Sequence, residues 1–452
     1  MKSINPYDNS VITDHKEHTP EEVKGIIDSV DETWKQWRDT SFAERAKLMM
    51  KASEVLLAEK DECAALITKE MGKILSEAEA EVEKCALGCR YYAENAEKML
   101  QDEIVETDFD KSFISFEPIG VVLVVMPWNF PFWQVWRFVA PGLMAGNAGV
   151  LKHASNVMGC AKKIEEVIQK AGFPENLFRS LIIPSGSVDA AIKHPAIKAV
   201  TLTGSEGAGS KVAETAGREL KKSVLELGGS DPFVVLEDAD LEGSIRTAVN
   251  ARNFNCGQVC ISAKRFIVVE SAAAEFEKTF KEITESLKIG DPFDPDTKVG
   301  PMARPDLVDD IHAQVVKSVD MGARLIAGGN KLEGPGNFYA PTVLADVKKG
   351  MPAYDEETFG PVAALITVKN EEEAIAVAND SPFGLGASVW TKDQERGIRV
   401  ARRIESGMVF VNEMVMSLPK MPFGGVKRSG YGRELADYGI KEFVNIKSIC
   451  AR

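Results

Sequence analysis

Several features that mark whole classes of protein are rare or missing in this chain. Its five histidines are scattered and form no HExxH pattern, and its seven cysteines include no pair of CxxC motifs, so no metal site is expected. Seven cysteines in 452 residues are also too few for a disulfide framework. No apolar run approaches the roughly 20 residues of a membrane span, and the polar N-terminus is unlike a signal peptide. We therefore expect a cytoplasmic protein with no metal and no membrane contact.

Positive charge is also scarce. The chain has 54 Lys and Arg against 68 Asp and Glu, a formal net charge of −14. Non-specific binding to nucleic acid needs clustered positive charge, so no nucleic-acid partner is expected. In contrast, 44% of the residues are hydrophobic, which is enough for a large core and excludes a disordered chain. The length allows roughly two to four domains.

Hydrophobic periodicity predicts an α/β protein. Apolar residues recur at helical spacing over residues 20–100, where Thr19 and Pro20 mark a helix start. Short apolar runs then alternate with helical stretches, which is typical of βαβ units and a parallel sheet. The predicted strands of this first unit are 121–127, 148–153, 179–184 and 198–205. The alternation starts again after about residue 228, beyond the glycines of LELGGSDP (225–232), and predicts a second α/β unit.

Cys260 is the leading candidate nucleophile. It lies in FNCGQVCISAKRF, between a predicted helix and a predicted strand, and Gly257 allows an unusual turn before it. A thiolate is a strong nucleophile near neutral pH, although a free cysteine is more often a buried structural residue. Cys256, four residues earlier, is either a core residue or a partner that traps Cys260 as a disulfide under oxidation.

Two further residues are placed for catalysis at strand ends. Glu226 stands beside two glycines at the junction of the two units, where a carboxylate faces a cleft and can act as a base; the alternative is a solvated loop residue. Asn129, in MPWNFP, follows the first strand of the sheet. Its amide can donate to a developing oxyanion, or can simply satisfy its own turn.

A glycine-containing turn gives a weak dinucleotide signal. TGSEGAG (203–209) follows a strand and opens a helix, and Gly204 and Gly209 permit close approach of a phosphate to main-chain N–H groups. The pattern is neither GxGxxG nor a P-loop, because Ser210 follows where a P-loop has lysine. Lys152 also follows a strand, where its ammonium can meet ribose hydroxyls or a phosphate.

Seven motifs in one fixed order are far more specific than any of them alone. They are PWNFP (127–131), LK (151–152), TGS (203–205), ELGG (226–229), GQVC (257–260), ETFGPV (357–362) and PFGGVKRSGYGRE (422–434). The set resembles the aldehyde dehydrogenase superfamily over about residues 5–450. Within it, the chain is most similar to the short bacterial NAD(P)-dependent succinate semialdehyde dehydrogenases. The resemblance implies oxidation of an aldehyde to a carboxylic acid.

The resemblance implies a role for each matching residue. Cys260 would form a thiohemiacetal and then a thioester with the substrate, and Asn129 with the N–H of Cys260 would form the oxyanion hole. Glu226 would activate the water that hydrolyses the thioester; relatives that acylate coenzyme A usually lack this carboxylate. The implied contacts to NAD or NADP are Trp128, Lys152, Gly204, Ser205, Glu357 and Phe359.

The choice between NAD and NADP depends on position 155. NAD-specific relatives often carry a glutamate three residues after the matching lysine, where it bonds the ribose 2′-hydroxyl and repels a 2′-phosphate. This chain has Ser155 there, and His153 nearby can add positive charge. We therefore expect both cofactors to be used.

Three residues are expected to contact the substrate. Arg137 falls where relatives grip the substrate carboxylate, and Ser417 is near a second such position. The chain departs from that pattern at Phe254, where well-known succinate semialdehyde enzymes have arginine; Arg252 is two residues away. The leading prediction is oxidation of succinate semialdehyde to succinate. The alternatives are a general dehydrogenase for medium-chain or aromatic aldehydes, and a non-catalytic family member that binds a dinucleotide.

The resemblance also implies a domain organisation. A Rossmann-like cofactor-binding domain would comprise residues 1–101 and 118–227, and an α/β catalytic domain residues 228–427. A small β oligomerisation arm would comprise residues 102–117 and 440–452. The segment EFVNIKSIC (442–450) alternates like an edge strand that needs a partner, so a homodimer or homotetramer is expected.

Overall fold

A computed structural model describes all 452 residues and contains fifteen α-helices and eighteen β-strands. The helices are α1 Pro20–Trp37, α2 Phe42–Ala58, α3 Lys60–Met71, α4 Leu75–Met99, α5 Trp133–Met144, α6 Met158–Lys170, α7 Val188–Lys193, α8 Glu206–Arg218, α9 Leu241–Asn253, α10 Glu270–Glu285, α11 Pro305–Asp320, α12 Pro352–Asp355, α13 Glu371–Asn379, α14 Gln394–Ala401 and α15 Ala436–Ile440. The strands are β1 Lys2–Ile4, β2 Val11–Asp14, β3 Glu103–Ile104, β4 Lys111–Pro118, β5 Val121–Met126, β6 Ala148–His153, β7 Phe178–Ser180, β8 Ile197–Thr203, β9 Lys222–Glu226, β10 Asp231–Val235, β11 Ala263–Val269, β12 Arg324–Ala327, β13 Thr342–Ala345, β14 Val362–Val368, β15 Gly386–Trp390, β16 Met408–Val411, β17 Gly430–Tyr431 and β18 Val444–Ala451. The predicted α/β fold class is confirmed.

The first large sheet has the strand order β17-β9-β8-β5-β6-β7. The four strand pairings from β9 to β7 are parallel, and β17 alone pairs antiparallel, with β9. From β5 the chain winds outward through β6 and β7, and then returns to the other side of β5 through β8 and β9. The order therefore reverses between β5 and β8, and the crevice at their carboxyl ends is where doubly wound folds bind ligands.

The second large sheet has the order β12-β13-β14-β11-β10-β15-β16 and is parallel except at β12. Two separate hydrophobic cores accompany the two sheets, one of 70 buried residues and one of 46, which indicates two structural units. Helices α1 to α4 pack with the first core. Their start is as expected: Thr19 caps α1, accepting from the N–H of Glu22 while the Glu22 side chain accepts from the N–H of Thr19.

A small three-stranded sheet projects from these units. Strand β18 pairs antiparallel with β4 along its full length, and β3 pairs with the other side of β4. Strand β18 is the edge of this sheet, and most of its residues are exposed. No helix combines the length and the apolar character that a membrane crossing requires.

One predicted strand is much shorter than expected. The run 179–184 ends in the apolar residues 181–184, yet only Phe178–Ser180 forms a strand, β7, at the edge of the sheet. The N–H of Leu181 still donates to the Leu151 carbonyl, but the N–H of Ile182 donates to the side chain of His18 instead. The chain therefore leaves the ladder after Leu181, although β6 continues to His153.

Candidate active site

Cys260 lies in a loop with an unusual main-chain conformation between α9 and β11. Asn255, Cys256 and Gly257 have φ values of 52°, 53° and 70°, so three consecutive residues are left-handed. Only glycine adopts this region without strain, and a Cβ at Gly257 would also collide with the carbonyl of Gly360. The glycine expected from the sequence is therefore required, and two non-glycine residues bear the remaining strain.

Buried charged side chains hold this loop in place. Lys264 donates to the carbonyl oxygens of Val259 and Cys260, at 3.0 and 2.7 Å. Arg252 donates to the Gly257 carbonyl at 2.6 Å and is 1% exposed. Burial lowers the pKa of Lys264 below its usual value. Arg252 is therefore a support for the loop rather than the substrate contact that its position suggested.

The two cysteines of the loop face different surroundings. Cys256 is buried in the second core, whereas Cys260 is partly exposed and packs against the first. Both are free thiols. Burial raises the pKa of Cys260 to about 12, although the cations of Arg137 and Lys264 act in the opposite direction.

Two N–H donors belong to the Cys260 loop or contact it. The main-chain N–H of Cys260 makes no hydrogen bond within the chain. Asn129 is buried after β5, and its amide orientation is set by two contacts. Its Oδ1 accepts from Gln134 and its Nδ2 donates to the Gln258 carbonyl, both at 2.9 Å. One of the two Nδ2 hydrogens is thus left for a ligand.

Cys260 opens into a cavity of about 450 Å³ with mostly apolar walls. All three predicted substrate residues, Arg137, Phe254 and Ser417, line it together with the cysteine. Phe254 stacks on Phe130 with ring centroids 6.1 Å apart. Apolar walls with a few converging polar groups are typical of a small-molecule site.

The polar groups of the cavity meet at Ser417. Its Oγ accepts from Trp133 Nε1 and from Lys84 Nζ, each at 2.8 Å. Lys84 was not identified in the sequence analysis. Its position could have been predicted from helical spacing. On α4, Lys84 lies three residues after Glu81 and four before Gly88, and so it shares a helix face with these two buried residues.

Arg137 lines the cavity but is also paired on its other side. Its Nε lies 2.7 Å from Oε2 of Glu434, and both side chains are buried. Its guanidinium also stacks on Phe423, 4.5 Å from the ring centroid. Together, the ion pair and the stacking contact hold the guanidinium in one orientation at the cavity wall.

Glu226, the predicted base, does not line this cavity. Its carboxylate is buried at the end of β9, and neither oxygen has a hydrogen-bond partner. Gly424 leaves room for it, since a Cβ there would stand 2.5 Å from Oε1. Burial and the nearby Glu434 carboxylate raise the pKa of Glu226 well above its usual value, although Arg137 and Arg433 oppose this.

The residues predicted to bind a dinucleotide gather around the carboxyl ends of β5 and β8. Trp128 follows β5, and Gly204 and Ser205 follow β8. Ser205 caps α8 through the N–H of Ala208, and the first turn of this helix is open to solvent on the Gly207 side. Gly209 packs on Leu227, where a Cβ would clash at 2.6 Å, so this position requires glycine for close packing.

Lys152 and Ser155 lie at the end of β6. Lys152 is 7% exposed, and its only hydrogen bond is a long one of 3.4 Å to Ser185. Ser155 is exposed beside it. The expectation that His153 adds positive charge is wrong. Its ring is buried between the carbonyls of Met126 and Pro131, and burial lowers its pKa to about 4, so it is neutral.

Glu357 and Phe359 lie in the loop before β14. Glu357 accepts from the N–H of Gly229 at 2.9 Å and stands 3.6 Å from Lys264 Nζ. Phe359 meets Trp128 edge to face at 5.7 Å. These contacts bring the β5 and β14 loops together beside the loop of Cys260. The side chains that surround this crevice include no cluster able to hold a metal ion.

Comparisons with known proteins agree with this geometry. The model of the aldehyde dehydrogenase family matches residues 1–449. A protein of Synechocystis sp. named probable succinate-semialdehyde dehydrogenase, NADP(+), is 52% identical over 99% of both chains. A Mycobacterium tuberculosis protein named succinate-semialdehyde dehydrogenase 1, NADP(+), is 47% identical over 99% of both chains. The crystal structure of succinic semialdehyde dehydrogenase from Streptococcus pyogenes in complex with NADP+ superposes with a TM-score of 0.97, at 39% identity and 99% coverage of both chains.

Proposed function

The chain belongs to the aldehyde dehydrogenase family, and from this premise we propose that it oxidises succinate semialdehyde to succinate with NADP as the oxidant. One observation carries the proposal: the thiol of Cys260 shares a single cavity with the guanidinium of Arg137 and the hydroxyl of Ser417. A thiol suits the aldehyde end of this substrate, and hydrogen-bond donors suit its carboxylate. The names of the two curated relatives support the same substrate and cofactor.

The thiol of Cys260 begins the reaction. Its sulfur bonds to the aldehyde carbon, and the carbonyl oxygen takes the electron pair of the double bond. Asn129 Nδ2 and the N–H of Cys260 donate to this oxyanion. Preorganised donors of this kind supply about 3–4 kcal/mol of transition-state stabilisation. The thiol must first lose its proton to solvent water, because burial raises the pKa of Cys260 to about 12, and the thiolate then makes the attack.

The residues at the β5–β8 crevice would hold NADP, whose chemistry would be removal of a hydride from the carbon bound to Cys260; this would leave a thioester on Cys260. The residues at the β5–β8 crevice fit such a cofactor. The partly satisfied Lys152 is a buried cation with free N–H groups, and the first turn of α8 offers N–H donors to a phosphate. Ser155 carries no charge to repel a 2′-phosphate. NAD is also expected to be accepted, since nothing at this position depends on the phosphate.

Glu226 is the proposed base for hydrolysis of the thioester. Water adds to the thioester carbon, its proton passes to the Glu226 carboxylate, and the thiolate of Cys260 leaves. The carboxylate must first move from its site beside Gly424 into the cavity. No hydrogen bond retains it there, so rotation of the side chain breaks none. A raised pKa also strengthens the base.

The exposed edge of β18 is the proposed site of assembly. Its outer side has unpaired main-chain groups, and Ile446 on this strand is 62% exposed. An open apolar edge is typically covered by another chain. We therefore propose a homodimer or homotetramer in which β18 contacts a second copy.

The test is the formation of reduced cofactor by the purified protein. Succinate semialdehyde is compared with hexanal and benzaldehyde, using NADP and NAD, with Cys260→Ala as the blank. A strong preference for the semialdehyde is expected. Preference for the neutral aldehydes would instead favour the general dehydrogenase that the Phe130–Phe254 stack suggests. No reduced cofactor with any aldehyde would favour a non-catalytic family member.

A further inference from the structure

The cavity wall around Ser417 carries two cations from different helices. Arg137 comes from α5 and Lys84 from α4, and Ser417 comes from the loop after β16. Attack of a thiol on an aldehyde needs neither cation. Their presence in a largely apolar cavity therefore calls for another explanation, because a buried charge is costly unless something compensates it.

The two cations differ in how they are compensated. Arg137 has an ion pair with Glu434. Lys84 has no ion pair: its contacts are Ser417 Oγ at 2.8 Å and the face of Trp133, 4.8 Å from the ring centroid. The nearby carboxylate of Glu81 is occupied, since it pairs with Lys73 and accepts from two main-chain N–H groups at the start of α5. Lys84 is thus the uncompensated charge of the cavity.

The hydroxyl of Ser417 is forced to act as a donor. A serine oxygen accepts at most two hydrogen bonds and donates one. Trp133 Nε1 and Lys84 Nζ fill both acceptor positions, and no acceptor for the Ser417 hydrogen exists within the chain. The cavity therefore presents an O–H donor and an ammonium with N–H groups to spare, beside a guanidinium. A ligand group that only accepts, and is negatively charged, matches this set.

We propose that Lys84 is a specificity-determining residue that binds the carboxylate of ω-carboxylated aldehydes together with Ser417 and Arg137. The proposal rests on the function proposed above and adds a residue to it. Lys84 acts in two ways: its charge attracts the carboxylate, and its hydrogen bond turns the Ser417 hydroxyl towards it. Phe254 and Phe130 then cover the methylene chain of the substrate.

The titration of Lys84 supplies a readout that a purely structural lysine would not. Burial and the cation of Arg137 lower the pKa of Lys84 to about 8. The other ionisable groups near Lys84 are Lys73, Glu77, Glu81, Cys85 and Cys260. Loss of the Lys84 proton above its pKa removes the charge that attracts the carboxylate. The KM for succinate semialdehyde should therefore rise between about pH 7 and pH 9, relative to the KM for a neutral aldehyde.

Variants at position 84 test the proposal with matched substrates. Succinate semialdehyde and butanal have the same chain length and differ in the carboxylate. Lys84→Met is expected to lower kcat/KM for succinate semialdehyde by at least about tenfold, mainly through KM, and to change butanal less than about twofold. Lys84→Arg, which keeps the charge, should restore most of the loss and abolish the pH dependence of KM. Equal losses for both aldehydes, or no loss, would overturn the proposal.

Two controls separate the possible failures. The wild-type preference for succinate semialdehyde over butanal is measured first; its absence would refute the proposed function, whereas a preference that survives Lys84→Met would refute only the role of Lys84. Folding is checked by Tm, and binding without turnover by the protection that succinate gives Cys260 against alkylation. Succinate should protect the wild-type thiol at concentrations at least about tenfold lower than in Lys84→Met. Equal protection would contradict the proposed contact.

Discussion

Replacing Glu226 by glutamine should stabilise the folded protein while slowing its turnover. The carboxylate is 2% exposed, neither oxygen has a partner, and the Glu434 carboxylate is close enough to raise its pKa. Each unit by which burial raises the pKa of a carboxyl corresponds to about 1.4 kcal/mol against its charged form. The amide of Glu226→Gln is still without a partner but carries no charge, so we expect a gain of at least about 1 kcal/mol. At roughly 2 °C per kcal/mol, Tm should rise by about 2 °C or more.

The gain depends on pH in a defined direction. The pKa of Glu226 is raised in the folded state, so folding disfavours the ionised form. Below the ordinary carboxyl pKa both states are protonated and the penalty is absent. As the pH rises above about 4.5 the unfolded chain ionises first, and the penalty grows until the folded-state pKa is passed. The Tm advantage of Glu226→Gln should therefore be larger at about pH 8 than at about pH 5.

The same substitution should separate the two halves of the reaction. Formation of the thioester needs Cys260 and Asn129, so a first burst of reduced cofactor is expected to remain. Steady-state turnover should fall by about 10²–10⁴-fold, the usual contribution of a general base. Scanning fluorimetry and stopped-flow absorbance measure the two effects. A lower Tm at neutral pH would refute the assignment of Glu226 as an unsatisfied buried acid, and unchanged steady-state turnover would remove it as the base.

Other substitutions give independent tests of the site and the assembly. Arg137→Met should raise the KM for succinate semialdehyde by about tenfold or more and leave the KM for butanal unchanged. It should also lower Tm, because breaking a buried ion pair costs about 3–5 kcal/mol. Adding Glu434→Gln should recover the Tm and leave KM high; equal KM changes for both aldehydes would place Arg137 outside the substrate site. Ser155→Glu should reduce kcat/KM for NADP far more than for NAD, and an unchanged NADP activity would contradict the role of this position. Ile446→Asp on β18 should shift the protein to a smaller species in sedimentation, whereas an unaltered assembly would exclude this edge as the interface.

Local patterns were sufficient for most of the secondary structure. Runs of β-branched residues such as 121–126 form strands because they are buried on both faces of a parallel sheet, a property of composition alone. The capping pattern at Thr19 likewise starts a helix through contacts within four residues. The left-handed turn at Gly257 was foreseen for the same reason, since its cause is local stereochemistry.

Charge partners could not be read from the chain, because they depend on residues far apart in it. Arg137 is paired with Glu434, which lies almost 300 positions away. This ion pair compensates the charge of Arg137, whereas Lys84 in the same cavity has no such partner. His153 was expected to be a possible cation, yet burial of its ring lowers its pKa to about 4 and makes it neutral, although the two neighbouring carbonyls act in the opposite direction. Arg252 supports a loop because the neighbouring turn brings the Gly257 carbonyl to it.

The motifs and their order therefore identified the family and the fold class, since these depend on residue types held in short, stereochemically constrained segments. Two properties required the folded chain: the position of Glu226 outside the cavity, and the contact between Lys84 and Ser417. Each arises where helices or strands that are distant in sequence meet. The groups that then surround a buried charge set its energy.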